Sequence, residues 1–222
     1  MADNEGKYRA KLQVKYHYGK PLPRHGSPRD RVLQRLQRRG RPQRLGRRVN
    51  IFLLDYDHET CAQYHCDKHV VKMPLESTQM LSTVHWRHNA EGPYLPVHQK
   101  HPCTLWAGQT VENYKWLWRL GIALCKEYTF RYGKTHACER VLAILRCPPV
   151  ELTARGVTKH PQAMPDEYKS PKPLLAYHNY YIGEKARLCT WKKRKVPPFM
   201  EEIMLSHSHE KKDPILTKTT SP

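Results

Sequence analysis

Residues 58–88 read HETCAQYHCDKHVVKMPLESTQMLSTVHWRH, and their periodicity predicts one long helix. At 100° per residue, Cys61, His65, Lys68, His69, Lys72 and Glu76 fall within an arc of about 100°. Ala62, Cys66, Val70, Met73, Met80, Leu81 and Val84 occupy the neighbouring arc of about 100°, which is apolar. One face packs, and the next gathers thiol, imidazole, amine and carboxylate. A merely solvated face draws on Glu, Lys and Gln; His and Cys in it point to an enzyme. Asp57 suits the N-cap and Glu59 the positive end of the helix dipole. Pro74 predicts a kink between Lys72 and Glu76, able to rotate Glu76 away from the others.

Upstream, Val49–Leu54 is a short apolar run of strand-like composition ending at Asp55, a second candidate carboxylate. Downstream, Asn89–Pro102 reads as a loop. A second helix runs from a Thr104 cap to Tyr132, stopped by Gly133, and a third spans His136–Arg146. A connection punctuated by prolines, Val150–Pro173, leads to a last helix, Leu174–Lys192, and the basic run 192–195. Four helical segments against one short strand predict an all-α fold, a compact helical bundle over residues 49–199. The polar stretch 200–222 reads as a disordered tail.

The chain has 222 residues, a formal charge of +19 and a pI near 9.8. Residues 1–48 hold fifteen Lys and Arg against three acidic residues, so +12 of that charge sits there. They lack hydrophobic periodicity and read as a disordered Arg-rich arm. Such an arm binds nucleic-acid phosphates without sequence preference; the alternative is a mis-assigned start, with translation beginning near Val49-Asn50-Ile51-Phe52. The charge points to a polyanionic partner, DNA first. Seven cysteines without a Cys-x-x-Cys pair, and no secretory or membrane-spanning segment, suit the reduced cytoplasm of a phage-infected or bacterial cell. Neither a membrane nor a protein partner is implied.

Two chemistries share the stripe. Cys61, His65 and His69 stand at i, i+4 and i+8, the spacing by which one helix supplies ligands to zinc or another divalent transition metal, with His85, His98, His101 or Cys103 to complete the set. Alternatively no cofactor is needed. Lys68 and Lys72 stand beside two imidazoles, a crowding that favours a neutral, nucleophilic amine. Such an amine attacks a sugar C1′ to form a Schiff base, while Glu76 or Asp55 serves as acid, base or counter-charge. His101 precedes a predicted helix N-terminus, a ready phosphate contact. Tyr177, Tyr180, Tyr181 and Lys185 interleave aromatic faces with charge, which suits unstacked bases as well as plain helix packing. Lys68, Arg131, Lys134, Lys192, Lys193 and Arg194 are further candidates to hold a DNA backbone.

The pattern resembles the phage pyrimidine-dimer DNA glycosylases, the endonuclease V family. The short opening segment of that family is similar to Val49–Leu54, and its early helix to His65-x-x-x-His69-x-x-Lys72. Its later helix resembles the stretch ending Phe130-Arg131-Tyr132-Gly133-Lys134, and its C-terminal element resembles Tyr177-His178-Asn179-Tyr180-Tyr181-Ile182-Gly183-Glu184-Lys185. The resemblance spans most of residues 49–195 and implies an all-α enzyme that removes damaged or modified pyrimidines from DNA. Where the family carries its catalytic glutamate this chain has Lys72, so the role passes to Glu76. The family's nucleophile is the α-amine of its mature N-terminus, so here either translation starts near Val49 or Lys72 or Lys68 supplies the amine. The expectation is a base-excision DNA glycosylase with Schiff-base lyase activity, in which Glu76, Lys72, His65, His69 and Asp55 are catalytic. The alternatives are a metal-dependent nuclease or hydrolase held by His65, His69 and Cys61, and a noncatalytic nucleic-acid-binding protein.

Overall fold

Extended Val49–Leu54 forms no strand; it threads the interior with every side chain buried. Its β-branched and aromatic residues favour extended backbone, and each large apolar side chain buried there contributes about 2 kcal/mol. Without a strand partner, its backbone groups are satisfied by side chains. The Asn50 N–H donates to Glu76 Oε2 at 3.0 Å, the Leu54 N–H meets Cys61 Sγ at 3.4 Å, and His178 Nε2 donates to the Leu54 carbonyl at 2.9 Å. The computed structural model describes residues 49–210; the basic arm 1–48 and residues 211–222 lie outside them.

Seven α-helices follow among the described residues: α1 His58–Tyr64, α2 Asp67–Arg87, α3 Pro102–Ala107, α4 Val111–Tyr132, α5 Glu139–Ile144, α6 Pro173–Tyr180 and α7 Glu201–Glu210. No strand occurs among them, so the fold is all-α. No described helix is long and apolar enough to cross a membrane. The two longest helices, α2 and α4, pack on each other, and α1 lies along α4. Gly121 of α4 permits this closeness, because a Cβ there would stand 3.1 Å from Leu142 and 3.4 Å from Ser77.

Several boundaries differ from expectation. The long first helix is two, broken where His65 and Cys66 are extended. The break is satisfied from far along the chain: the Cys66 N–H donates to the Tyr181 hydroxyl and the Asp67 N–H to the Thr190 carbonyl. Asp57 caps α1 through the Thr60 N–H, as expected. Pro74 lies inside α2 without ending it, and Lys72 and Glu76 remain one turn apart and paired. Thr104 is not a cap: α3 starts at Pro102, and α4 is capped by Thr110, whose Oγ1 accepts the Asn113 N–H. Gly133 closes α4 in the left-handed region at φ 66°. After α6 the chain widens into a π turn, Tyr181–Lys185, and then a 3₁₀ turn, Ala186–Leu188, in place of a continued helix. Residues 201–210 are helical where composition reads as tail.

A buried ionic knot ties the ends of these helices together. Arg131 is fully buried, with Nε on Glu127 at 2.6 Å, Nη1 on Asp67 at 2.9 Å and Nη2 on the Gln63 carbonyl at 2.8 Å. Arg194 closes on Glu127, and the Lys192 N–H and Thr190 hydroxyl close on Asp67. Six of the seven cysteines are buried as free thiols, and Cys147 alone is exposed.

Candidate active-site cleft

Three residues of α2, His69, Lys72 and Glu76, face one cleft of about 940 Å3. Their spacing of i, i+3 and i+7 keeps them on one side of the helix. The opposite walls come from Val49, Asn50 and Phe52, from His101 and Pro102, from the loop 162–169, and from Tyr180, Glu184 and Lys185. Sequence-distant segments thus meet around the reactive half of the original stripe.

Glu76 is buried, and both of its oxygens are held. Oε1 pairs with Lys72 Nζ at 2.5 Å and Oε2 accepts the Asn50 N–H at 3.0 Å. Asn50 in turn is locked by its side chain. Its Oδ1 accepts the Ile51 N–H, its Nδ2 donates to the Ala163 carbonyl, and the Tyr177 hydroxyl lies between Asn50 Oδ1 and the Pro161 carbonyl. The carboxylate is therefore aimed by the extended segment and by the loop beyond Pro161. Lys72 has a side chain 45% exposed, so its amine can meet a ligand.

His69 lies flat against Phe52, ring centroids 4.5 Å apart and 14° from parallel, with its Nδ1 2.6 Å from the Tyr181 hydroxyl. Phe52 is nearly parallel to Tyr180 at 6.2 Å, and Lys185 Nζ stands 4.5 Å over the Tyr180 ring. Lys169 completes the cationic wall, paired with Asp166 at 2.6 Å. The arrangement offers an aromatic surface for a flat ring, a fixed carboxylate with an amine beside it, and cations for phosphate or another anion.

Other expected site residues fall elsewhere. His65 is fully buried outside the cleft, with Nδ1–H donated to the Cys61 carbonyl at 2.7 Å and no partner at Nε2. Burial pushes its pKa down to about 3. Its ring lies 6.3 Å from that of His69 at 68°, and of the two only His69 lines the cleft. Cys61 is buried, its thiol pushed up to about 12, and its sulfur serves the backbone of Phe52 and Leu54. Cys61, His65 and His69 do not come together as a group able to hold a metal, and no other such group of three or more side chains occurs among the described residues. Asp55 accepts the Asp57 N–H in a turn and does not line the cleft.

The DNA-binding candidates divide in the same way. Tyr180, Lys185 and His101 line the cleft. His101 does so as the N-cap of α3, its Nδ1 accepting the Cys103 N–H at 3.2 Å and taking up one of the amides expected to meet a phosphate. Arg131, Tyr177 and Tyr181 are buried and structural, and Arg194 is held by Glu127. Lys68, Lys134, Lys192 and Lys193 are exposed but stand outside the cleft.

Asn50, Phe52, Lys169 and Glu184 enter the site unannounced by any spacing, because only tertiary folding brings them to α2. Pro161 and Pro165, which bracket part of the loop wall, were the one local sign of a shaped segment. No family model matches the chain, and neither the curated proteins nor the solved structures give a match.

Proposed function

We propose that this chain is a base-excision DNA enzyme that removes a damaged or modified pyrimidine, with Schiff-base lyase activity. The observation that carries the reading is the held carboxylate of Glu76 with the Lys72 amine against it, beside the Phe52–Tyr180 aromatic wall. A sugar–base bond inside a duplex is shielded by stacking, so the nucleotide has to leave the helix. The aromatic wall offers its base a surface, and Lys169 and Lys185 offer its phosphates charge.

In this reading Glu76 accepts a proton from Lys72, freeing the amine. The amine attacks C1′ and the C1′–N bond breaks with its electron pair leaving on the base. Ring opening then gives a Schiff base, which borohydride reduces to a stable adduct. The backbone nitrogen of Asn50, 3.0 Å from Glu76, marks a second place where an amine meets this carboxylate, were a chain to start there.

The test is borohydride trapping on labelled duplexes carrying an abasic site, a thymine dimer or a modified pyrimidine. The expected result is an adduct in the wild type, its loss in Lys72→Ala, and a fall in base release of roughly 10²- to 10⁴-fold in Glu76→Gln. An adduct surviving Lys72→Ala moves the nucleophile to another amine, the α-amine first. No adduct, with strand cleavage that EDTA stops, overturns the lyase reading in favour of a metal-dependent nuclease. Neither adduct nor cleavage, with DNA affinity lost on deleting residues 1–48, leaves a noncatalytic binding protein.

A further inference from the structure

Two cysteines far apart in the chain meet beside the cleft. Cys66 is the N-cap of α2, three residues before His69, and Cys189 follows the 3₁₀ turn Ala186–Leu188, four residues after Lys185. The residues next to them are tied to each other. The Asp67 N–H donates to the Thr190 carbonyl at 2.8 Å, and the Thr190 hydroxyl donates to Asp67 Oδ2 at 2.8 Å. Both thiols are buried and free, and Cys189 donates a hydrogen bond to the Cys66 sulfur. The base-excision chemistry uses neither sulfur. That hydrogen bond draws the Cys66 thiol well below its ordinary value, and those from His69 and Tyr181 add to it against the cost of burial. A place at the N-terminus of a 21-residue helix acts in the same direction. Burial instead pushes the thiols of Cys61, Cys103, Cys125 and Cys138 up.

We propose that Cys66 and Cys189 are a redox-active pair, which hydrogen peroxide oxidises to a disulfide fastening the start of α2 to the segment after the π turn. Each of these elements supplies a wall of the cleft: α2 carries His69, Lys72 and Glu76, and the π turn carries Glu184 and Lys185. The bond closes between positions whose neighbours are already hydrogen-bonded, so it asks little movement of the backbone. It also takes from His69 and Tyr181 the anionic sulfur to which they donate.

The chemistry balances with peroxide as the oxidant. The Cys66 thiolate attacks one peroxide oxygen; the S–O bond forms, the O–O bond breaks, and the hydroxide that leaves takes up the proton Cys66 had shed. Cys189 then attacks the sulfur of the resulting sulfenic acid. The S–S bond forms, the S–O bond breaks, and the Cys189 proton departs with that oxygen as a second water. Two thiols lose two electrons and two protons, and the peroxide becomes two waters. Lys68 and Lys185 lend positive charge to Cys189, which favours its deprotonation once Cys66 no longer carries negative charge.

The experiment oxidises the native full chain with hydrogen peroxide and quenches it with acid. The remaining thiols are alkylated after unfolding, and the peptides are mapped by mass without reduction. The expected result is two of the seven thiols lost to one disulfide, which dithiothreitol restores. Fragmentation is expected to place that bond on Cys189 and on Cys66, rather than on Cys61 of the same tryptic peptide. In Cys189→Ser, Cys66 is expected to stop at the sulfenic acid, which dimedone traps. Oxidation confined to Cys147, a disulfide joining other cysteines, or the same mixture of disulfides from native and urea-unfolded chain overturns the proposal. The wild-type map decides even where the variant fails to fold. The outcome is independent of the base-excision reading, which stands or falls on the duplex test.

Discussion

Arg131 shows how far residue type misleads without burial. In the sequence it is an arginine in a basic chain and a candidate phosphate contact; in the fold it is fully buried among Glu127, Asp67 and the Gln63 carbonyl. Its worth lies in the cost of removing it. Arg131→Met leaves two carboxylates facing the interior, and breaking a buried pair costs about 3–5 kcal/mol. Urea unfolding is expected to show that loss, with part recovered in Arg131→Met/Glu127→Gln. A loss under about 1 kcal/mol would mean that Arg194, Thr190 and Lys192 already neutralise the two acids. Glu76 is the opposite case. Its place at i+7 from His69 was readable, while the Asn50 N–H that aims it was not, because 26 residues separate the two.

At the scale of elements, the signals that held were those satisfied locally. Asp57 caps α1 through its neighbour Thr60, and Gly133 stops α4, each within one turn of its partner. Gly133→Ala places a side chain in the left-handed region and is expected to lower stability by about 1 kcal/mol, read from a thermal melt. The signals that failed were answered from a distance. Nothing in residues 58–88 foretells the break at His65–Cys66, because Tyr181 and Thr190 supply the partners that make it affordable. Thr104 and Thr110 both carry a capping side chain, and tertiary packing chose Thr110, whose hydroxyl also donates to the Gly156 carbonyl. The break rotates α1 out of the stripe, which removes Cys61 and His65 from the site and leaves the second half of the pattern to line the cleft.

Across the described residues, four histidines, His58, His65, His85 and His160, are placed where burial disfavours their charged form. His160 is wedged between Trp106 and Trp116 with both ring nitrogens unpartnered, and burial pushes it down to about 4; His65 goes to about 3, while His58 and His85 are lowered as well. In the unfolded chain each takes up a proton near its ordinary value of 6.5, and in the folded protein it does not. Below that pH the unfolded state therefore binds more protons, and stability falls as pH falls, until about 4 for His160 and about 3 for His65. Each such histidine adds a slope of at most about 1.4 kcal/mol per pH unit. Unfolding midpoints between pH 7 and 4 are expected to drop accordingly, and His160→Phe, which keeps a ring between the tryptophans, to flatten the curve. The cysteines give the same molecule a set of internal clocks. With Cys147 alone in contact with solvent, a bulky thiol reagent reacts at once with a single sulfur and reaches the other six only when their surroundings open. Mapping the order in which Cys66 and Cys189, Cys103, Cys61, and the pair Cys125 and Cys138 acquire the label would show which parts of the interior open first.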